Sequence, residues 1–515
     1  MNETTDCKMK INIVVAPTMH HPYQLRRISH NDQDLPPYGA ACIASFLKAK
    51  GYSVAIKDFP LFFDEFRDIL KLLDSKAMFE KITEYVTKDI PHPMVDKFAE
   101  KMLNCVTEDR CDLLGFSLLS RLSLPISLLL AKKVKQKSKV PIVFGGAVVT
   151  EFFEQYKFNK KSFFFSNYGN CNFIDYFIVG KGMYPLLGLL EYLQGKVNID
   201  KIPNLVYHKE GELKLNQRVF FGLEEIPVPD FSDLNLGKYE TIQRRMSKKR
   251  REPKRLQLPY QITSGCVHKC SFCNFYLVSP NVQFKSCDKV IRELMFLKKK
   301  YNTNHFFFCE SNVNLSYKYL KELCEGIIKH KLDIVWRSVA SIVNIDKNLL
   351  SLLKASGCYS LTWGIESGSD AILKKMNKGF TASHARQVLK DAHDVGIHNT
   401  VNFITGFIHE TKKDLNYTIS FAKENAAYID KVRIFDFALA FYTPIHFHPD
   451  RYGIENIFVD YNSLMGFSRI GFDEQGGLKW DKKIKQKLKF YRMASQAILK
   501  QEIFNTIWKK ISNCL

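Results

Sequence analysis

Short apolar runs alternate with longer amphipathic ones along most of this chain, and the alternation breaks and restarts near residue 255. In the first series, residues 11–16 read as a buried strand, 39–50 as a helix stopped by Gly51, and 52–57 as a second strand ending at Asp58. Residues 62–102 read as irregular helix interrupted by Pro91 and Pro93. A third strand over 113–117 precedes an apolar helix, a fourth over 141–144 turns at Gly145 and Gly146, and a fifth over 176–179 leads to Gly180. Strand–helix alternation with glycines just past the strand ends predicts a parallel, doubly wound sheet. A short hairpin from 202 past Gly211 and a Pro-rich exit over 224–230 close the series.

The second series predicts strands at 256–262, 304–309, from 334, 359–363, 398–405 and 432–439. Helices are expected between them at 288–300, 318–330, 347–355, 383–395 and 414–427. Six parallel strands match an incomplete (β/α)6 barrel with a lateral opening. Beyond 445 the pattern stops. Residues 481–510 read as a basic helix with apolar positions at Leu488, Tyr491, Met493, Ala494, Ile498 and Ile503. The expected organisation is α/β: a Rossmann-like domain over 1–215, a hairpin exit and basic linker over 216–255, the partial barrel over 256–445, and a helical C-terminal cap over 446–515.

Composition narrows the classes. A chain of 515 residues is too long for one ordinary core, and 46% hydrophobic with 13% aromatic residues excludes a largely disordered protein. The first eight residues are polar and lack a leader's apolar stretch, so a reducing, cytoplasmic setting is expected for the 13 cysteines. The most apolar window, 113–131, contains Arg121 and Pro125 and is too broken to span a membrane. The formal charge is +22, densest at Arg244–Arg251 with Lys254 and Arg255 beyond. That run suits a polyanion or a solvated linker; without interleaved aromatics the linker reading is preferred, and nucleic acid is not expected as a partner.

The chemistry concentrates in Cys266, Cys270 and Cys273, a C-x3-C-x2-C run on the loop leaving the strand at 256–262. Three thiolates on one tight loop suit an iron–sulfur cube with one iron left open. A structural zinc site is the alternative, although it ordinarily needs four protein ligands and pairs spaced C-x2-C or C-x4-C. Cys287, Cys309, Cys324 and Cys358 stand singly in apolar surroundings and read as core.

The cysteine spacing, with Gly364-Ile-Glu-Ser-Gly-Ser369, Leu373, Met376 and Lys378-Gly379, resembles the radical S-adenosylmethionine (SAM) enzymes. That resemblance implies a [4Fe-4S] cluster on Cys266, Cys270 and Cys273 whose free iron chelates SAM. It implies SAM contacts at Phe272 beside adenine, at Glu310 and Ser311 toward the methionine amino group, and at Glu366 and Ser367 toward ribose or ammonium. Arg337 and Ser338 are then candidates for the carboxylate or the substrate, and Asn402, Thr405 and Gly406 for the flank of adenine. Glu366 has a plainer reading as a helix cap or a partner of Arg337. His268 can tune the cluster or simply be exposed.

Pro36-Pro-Tyr-Gly39, Gly115-Phe-Ser117, Phe144-Gly-Gly146 and Val179-Gly-Lys-Gly182 resemble the Rossmann-like cobalamin-binding domain of the B12-dependent members of that family. The resemblance places the corrinoid against Pro37, Tyr38, Ser117, Gly145, Gly146, Gly180 and Gly182. Residues 17–22 lack Asp-x-His-x-x-Gly, so histidine ligation of cobalt is not expected; His20 and His21 are expected to line the pocket or its mouth. Lys181 and Met183 replace the family's acidic residues. A degenerate domain kept for packing is the rival reading. The combined resemblance implies a C-methyltransferase that abstracts hydrogen from an unactivated carbon of a small biosynthetic metabolite through a 5′-deoxyadenosyl radical, with methylcobalamin as methyl donor. Rearrangement, ring contraction or cyclisation is the alternative, and an RNA- or peptide-binding protein with a structural cluster is another. The expected partners are a small substrate, which can carry phosphate, and a one-electron reductant such as flavodoxin or ferredoxin; none is a membrane.

Overall fold

The computed structural model describes residues 9–17, 35–59, 76–158, 171–250, 255–275, 279–460 and 469–512. The chain divides between Gln257 and Leu258 into two compact units. His20, His21, residues 62–75 of the long helical reading and residues 251–254 of the basic run lie outside the described residues.

In the first unit, strands β1 (Lys10–Val15), β2 (Ser53–Asp58), β3 (Leu113–Ser117), β4 (Ile142–Gly145) and β5 (Tyr176–Ile178) pair in parallel in the order β2-β1-β3-β4-β5. Their apolar runs are buried because helices cover the sheet, and Val14, Phe116, Phe144 and Phe177 belong to one core cluster with Leu129 and Phe153. The helix Tyr38–Ala49 stops where Gly51 takes φ +83°, with Gly51 N–H donating to Lys48 O and Tyr52 N–H to Leu47 O. The strand order reverses between β1 and β3, which opens a crevice at the carboxyl ends of these strands.

Two expectations change here. The sheet is mixed: β6 (Leu205–Lys209) and β7 (Glu212–Leu215) form the expected hairpin, but it extends the sheet antiparallel from β5. The basic run is helical in its described part, within Leu236–Arg250. Tyr239 and Gln243 are buried, and the Gln243 amide exchanges hydrogen bonds of 2.7 and 3.1 Å with the Gln257 backbone. Counting charges hid the apolar positions at 236 and 239, which share a face.

The second unit begins in β8 (Gln257–Tyr260), followed by a small hairpin of β9 (Thr263–Ser264) and β10 (Gln283–Phe284). Strands β11 (His305–Phe308), β12 (Val335–Ala340), β13 (Cys358–Glu366), β14 (His398–Thr405) and β15 (Lys431–Asp436) complete a six-stranded sheet, ordered β15-β14-β13-β12-β11-β8 and parallel from β11 to β15. This is the partial barrel. Helix starts are capped locally: Asp346 accepts from Leu349 N–H, and Thr411 and Asp414 form a reciprocal capping box. In β12, Trp336, Ser338 and Ala340 are buried, while Val335, Arg337 and Val339 line the opposite face.

The C-terminal region is not wholly helical. Strands β16 (Ile454–Asp460) and β17 (Arg469–Glu474) form an antiparallel hairpin before the helix Trp480–Ser512. The register shift between Glu455 and Phe458, with Asn456 at φ +52°, spoils the period-2 pattern a sequence reading needs. No helix among the described residues is long and apolar enough to cross a membrane.

Candidate functional site

The three cysteines lie on the loop that follows β9, and three sets of contacts fix this loop. At its entrance, the buried Glu310 carboxylate accepts from Ile262 N–H (2.5 Å), Thr263 N–H (3.0 Å) and Thr263 Oγ1 (2.9 Å), and Ser311 Oγ donates to Gly265 O (2.8 Å). Gly265 has φ +81°, and a Cβ there would lie 2.5 Å from Asn281 O. In mid-loop, Ser271 N–H donates to Met376 O and Ser271 Oγ to Lys375 O, while Asn377 Nδ2 donates to Lys269 O. At the exit, Ile445 N–H donates to Ser271 O and Asn274 Nδ2 to Phe441 O.

All three thiols are free and half-buried. Burial pushes the Cys270 and Cys273 thiols up; Cys270 also feels Cys273, Glu366 and Cys266, and Cys273 feels Cys266 and Glu366, while Lys378 pulls both back. The loop therefore gathers three thiols and a cation. His268 is half-buried with Nε2 unpartnered, and burial followed by Lys378 pushes its imidazolium down. Three half-buried thiols on one short loop beside an orphaned buried nitrogen fit, by their chemistry, an iron–sulfur cluster, whose sulfide-rich surface accepts hydrogen bonds, although no group of three or more His, Cys, Asp or Glu side chains among the described residues is placed to hold a metal ion.

Glu366 ends β13 with φ +73°, beyond a register shift at Gly364. Few non-glycine residues adopt that backbone, and here it turns the carboxylate toward Lys378 Nζ at 3.5 Å. Burial pushes the Glu366 carboxyl up and Lys378 opposes it. The partner expected for a purely structural Glu366, Arg337, is not the one found. A Cβ on Gly364 would lie 2.6 Å from Glu366 Oε1, so glycine leaves the room this pair needs. Lys378, legible only as part of a motif, is the site residue that the sequence left without a role; it also lies 5.8 Å from the ring centres of Phe272 and Phe380.

Asn402 shares a row with Gly364 and Arg433, and its buried Oδ1 has no hydrogen-bond partner. It fits a ligand donor. The other expected contacts sit differently. Ser367 Oγ is 3.1 Å from Thr418 Oγ1, Ser338 Oγ donates to Phe308 O, and Thr405 Oγ1 donates to Phe435 O; all three are buried in packing. Gly406 turns at φ +77° against Lys487, its N–H donating to Glu410. Arg337 stacks 4.3 Å from the Phe307 ring centre, in the row of Ser360. That row lies four residues, about 13 Å, below the row of Gly364. Phe272 packs against a core cluster containing Met376, Phe407 and Ile445. Burial pushes the Glu310 carboxyl up to about 7 despite its three hydrogen bonds and the nearby Lys285 charge. Phe441, Tyr442, His446 and Phe447 form an aromatic group on the segment holding the loop exit, which no sequence signal marked.

In the first unit the expected corrinoid contacts fall on one edge. Ser117 ends β3, Gly145 ends β4, Pro37 and Tyr38 open the first helix, and Gly182 opens Met183–Leu193. Leu118 N–H donates to Gly145 O, Val148 N–H to Leu118 O, and Gly180 N–H to Thr150 Oγ1, which ties the loops after β3, β4 and β5. The glycine at 146 (φ +104°) answers to packing, since a Cβ there would lie 2.5 Å from Leu118 O. Gly180 (φ +92°) borders Arg218, whose Nε and Nη1 are buried without hydrogen bonds while Nη2 lies 3.2 Å from Glu154. At the far side, both oxygens of the fully buried Asp58 lack partners, and burial pushes its carboxyl well up. Leu119 is 76% exposed. An apolar residue on the loop after β3, with unpartnered donors and acceptors on either side of the sheet, fits a flat macrocycle with a carboxamide rim.

Residues 260–422 match the model of the Radical SAM superfamily. An uncharacterized methyltransferase of Pyrococcus horikoshii is 27% identical over 265 residues, covering 49% of this chain and 54% of its own. The anaerobic magnesium-protoporphyrin IX monomethyl ester cyclase of Rubrivivax gelatinosus is 27% identical over 173 residues, covering 33% of this chain and 31% of its own. The chain thus spans about half of the first relative and a third of the second. The structure of the radical SAM methyltransferase TsrM from Kitasatospora setae, with cobalamin and a [4Fe-4S] cluster bound, superposes with a TM-score of 0.63 at 14% identity, covering 94% of this chain and 91% of that one. At that identity the likeness is one of fold.

Proposed function

We propose that the chain is a radical SAM enzyme that uses a [4Fe-4S] cluster, SAM and cobalamin to activate a carbon–hydrogen bond of a small molecule. The observation that carries the proposal is the loop of Cys266, Cys270 and Cys273, gathered at the end of the parallel sheet beside Lys378 and Glu366. When bound, these groups supply one-electron cleavage of the sulfonium, hydrogen abstraction from the substrate, and a corrinoid available as methyl donor or redox partner.

The chain's own residues do the rest. The three thiols hold the cluster. Glu366 and Lys378 offer an anion and a cation to the ammonium and carboxylate of a zwitterion, and Asn402 Oδ1 accepts a hydrogen bond from the ligand. The aromatic segment 441–447 holds the loop exit and shields it from water. At the edge of the first unit, the loops after β3, β4 and β5 support the macrocycle. An external one-electron donor is required; flavodoxin and ferredoxin belong to the right chemical class.

The step after hydrogen abstraction divides the relatives: one bears the name of a methyltransferase and another that of a cyclase. Rearrangement or ring closure is therefore as well supported as methylation. Anaerobic reconstitution should give about four irons per chain, cobalamin absorbance, and 5′-deoxyadenosine from SAM. Cys266→Ala, Cys270→Ala and Cys273→Ala should each abolish the last. Deoxyadenosine formation that survives these substitutions would overturn the radical reading, and a reconstituted protein that binds no corrinoid would remove cobalamin. With SAM labelled in its methyl group, label in the product identifies methylation; a product without it identifies rearrangement or cyclisation.

A further inference from the structure

Glu310 and Ser311 follow Cys309 on the loop beyond β11, where the family resemblance puts recognition of the SAM amino group. Their polar atoms point the other way. Glu310 Oε1 accepts from Ile262 N–H, and Oε2 accepts from Thr263 N–H and Thr263 Oγ1. Three of the roughly four acceptor positions of a carboxylate are thereby filled. Glu310 is 5% exposed, and the cation whose charge it feels is the wholly buried Lys285, held 2.9 Å from Glu293. Ser311 Oγ donates to the carbonyl of Gly265, the residue before Cys266.

The two limbs of the cysteine loop are held by different parts of the fold. Cys270 and Cys273 flank Ser271, which is anchored to Lys375, Met376 and Ile445. Cys266 ends a limb, 262–265, held by Glu310, Ser311 and the short β9–β10 pairing. On the cluster-binding reading above, we infer that Glu310 and Ser311 are positioning residues that hold Cys266 in register with Cys270 and Cys273, and are not ligands of the SAM amino group.

Glu310→Gln tests this. A glutamine has one acceptor oxygen, and its amide N–H2 would face a backbone N–H of residue 262 or 263, donor against donor. Thr263→Val removes one donor to the same carboxylate with little change of shape and guards against a Glu310→Gln protein that does not fold. Both would be reconstituted anaerobically beside the parent, then compared by iron content, by electron paramagnetic resonance of the reduced protein without SAM, and by SAM affinity per intact cluster. The inference expects at least a twofold loss of iron or a shifted resonance spectrum in the absence of SAM, with SAM affinity within about threefold of the parent; Ser311→Ala should move the same readouts less. Unchanged iron and spectrum with SAM affinity weakened tenfold or more would overturn it in favour of direct recognition, and no change in any readout would overturn it as well. If the parent chain itself takes up no cluster, the failure belongs to the proposed function.

Discussion

Glu366 and Lys378 allow a prediction worked from geometry. Their charged atoms are 3.5 Å apart, with both side chains 11% exposed. At an effective dielectric of about 20 the attraction is about 5 kcal/mol, set against the desolvation of both groups. Lys378→Met leaves a buried carboxylate uncompensated, which costs about 3–5 kcal/mol; protonation of Glu366, already favoured by burial, keeps the loss near the lower figure. Adding Glu366→Gly removes the carboxylate. It also relieves a left-handed backbone worth about 1–2 kcal/mol, less about 0.5–1 kcal/mol of extra unfolded-chain entropy. The double variant should therefore recover about 3–4.5 kcal/mol relative to Lys378→Met. Urea unfolding of the apoprotein followed by tryptophan fluorescence suits the test, since all four tryptophans lie beyond residue 257 and Trp336 and Trp363 are buried. A double variant no more stable than Lys378→Met would refute the reasoning. The same Glu366→Gly change should abolish SAM binding.

Glu410 is buried and its carboxyl is pushed up to about 7, chiefly by burial. An acid whose folded pKa is raised contributes stability that is full below its unfolded pKa, near 4.5, and lost as pH rises through 7. That loss should amount to about 3 kcal/mol, and Glu410→Gln should flatten the difference between pH 5 and 8 in urea midpoints. Lys483, wholly buried 2.7 Å from Glu474, should cost about 3–5 kcal/mol when changed to Met, reported by Trp480 one turn earlier. Gly146→Ala drives a Cβ into a backbone carbonyl at positive φ and should destabilise the first unit by about 2 kcal/mol or more, seen by far-ultraviolet circular dichroism. Parent-like behaviour in any of these three measurements would contradict the corresponding packing argument.

Much of this was legible from one dimension. β3, a short apolar run, has the bounds that the sequence predicts, as has β14 between the glycines at 396 and 406, and the cysteine spacing marks its own chemistry. What escaped depends on direction. Composition around Glu310 does not reveal that the carboxylate faces back toward residues 262 and 263. Lys378 gains meaning only when the turn after the helix Asp370–Lys375 brings it near Cys270. Arg337 and Ser338 are neighbours in sequence yet face opposite sides of β12, so one ligand cannot use both. The hairpin β16–β17 was missed because its register shift breaks the alternation.

Strand β15 ends its sheet, and the helix Trp480–Ser512 lies against it, with Lys487 Nζ 3.3 Å from Asp436. A strand in that position carries a row of backbone groups ready to recruit a foreign chain. Trimming the chain ahead of Trp480 would remove the helix packed against that strand, and the shortened protein should aggregate more readily than the full chain.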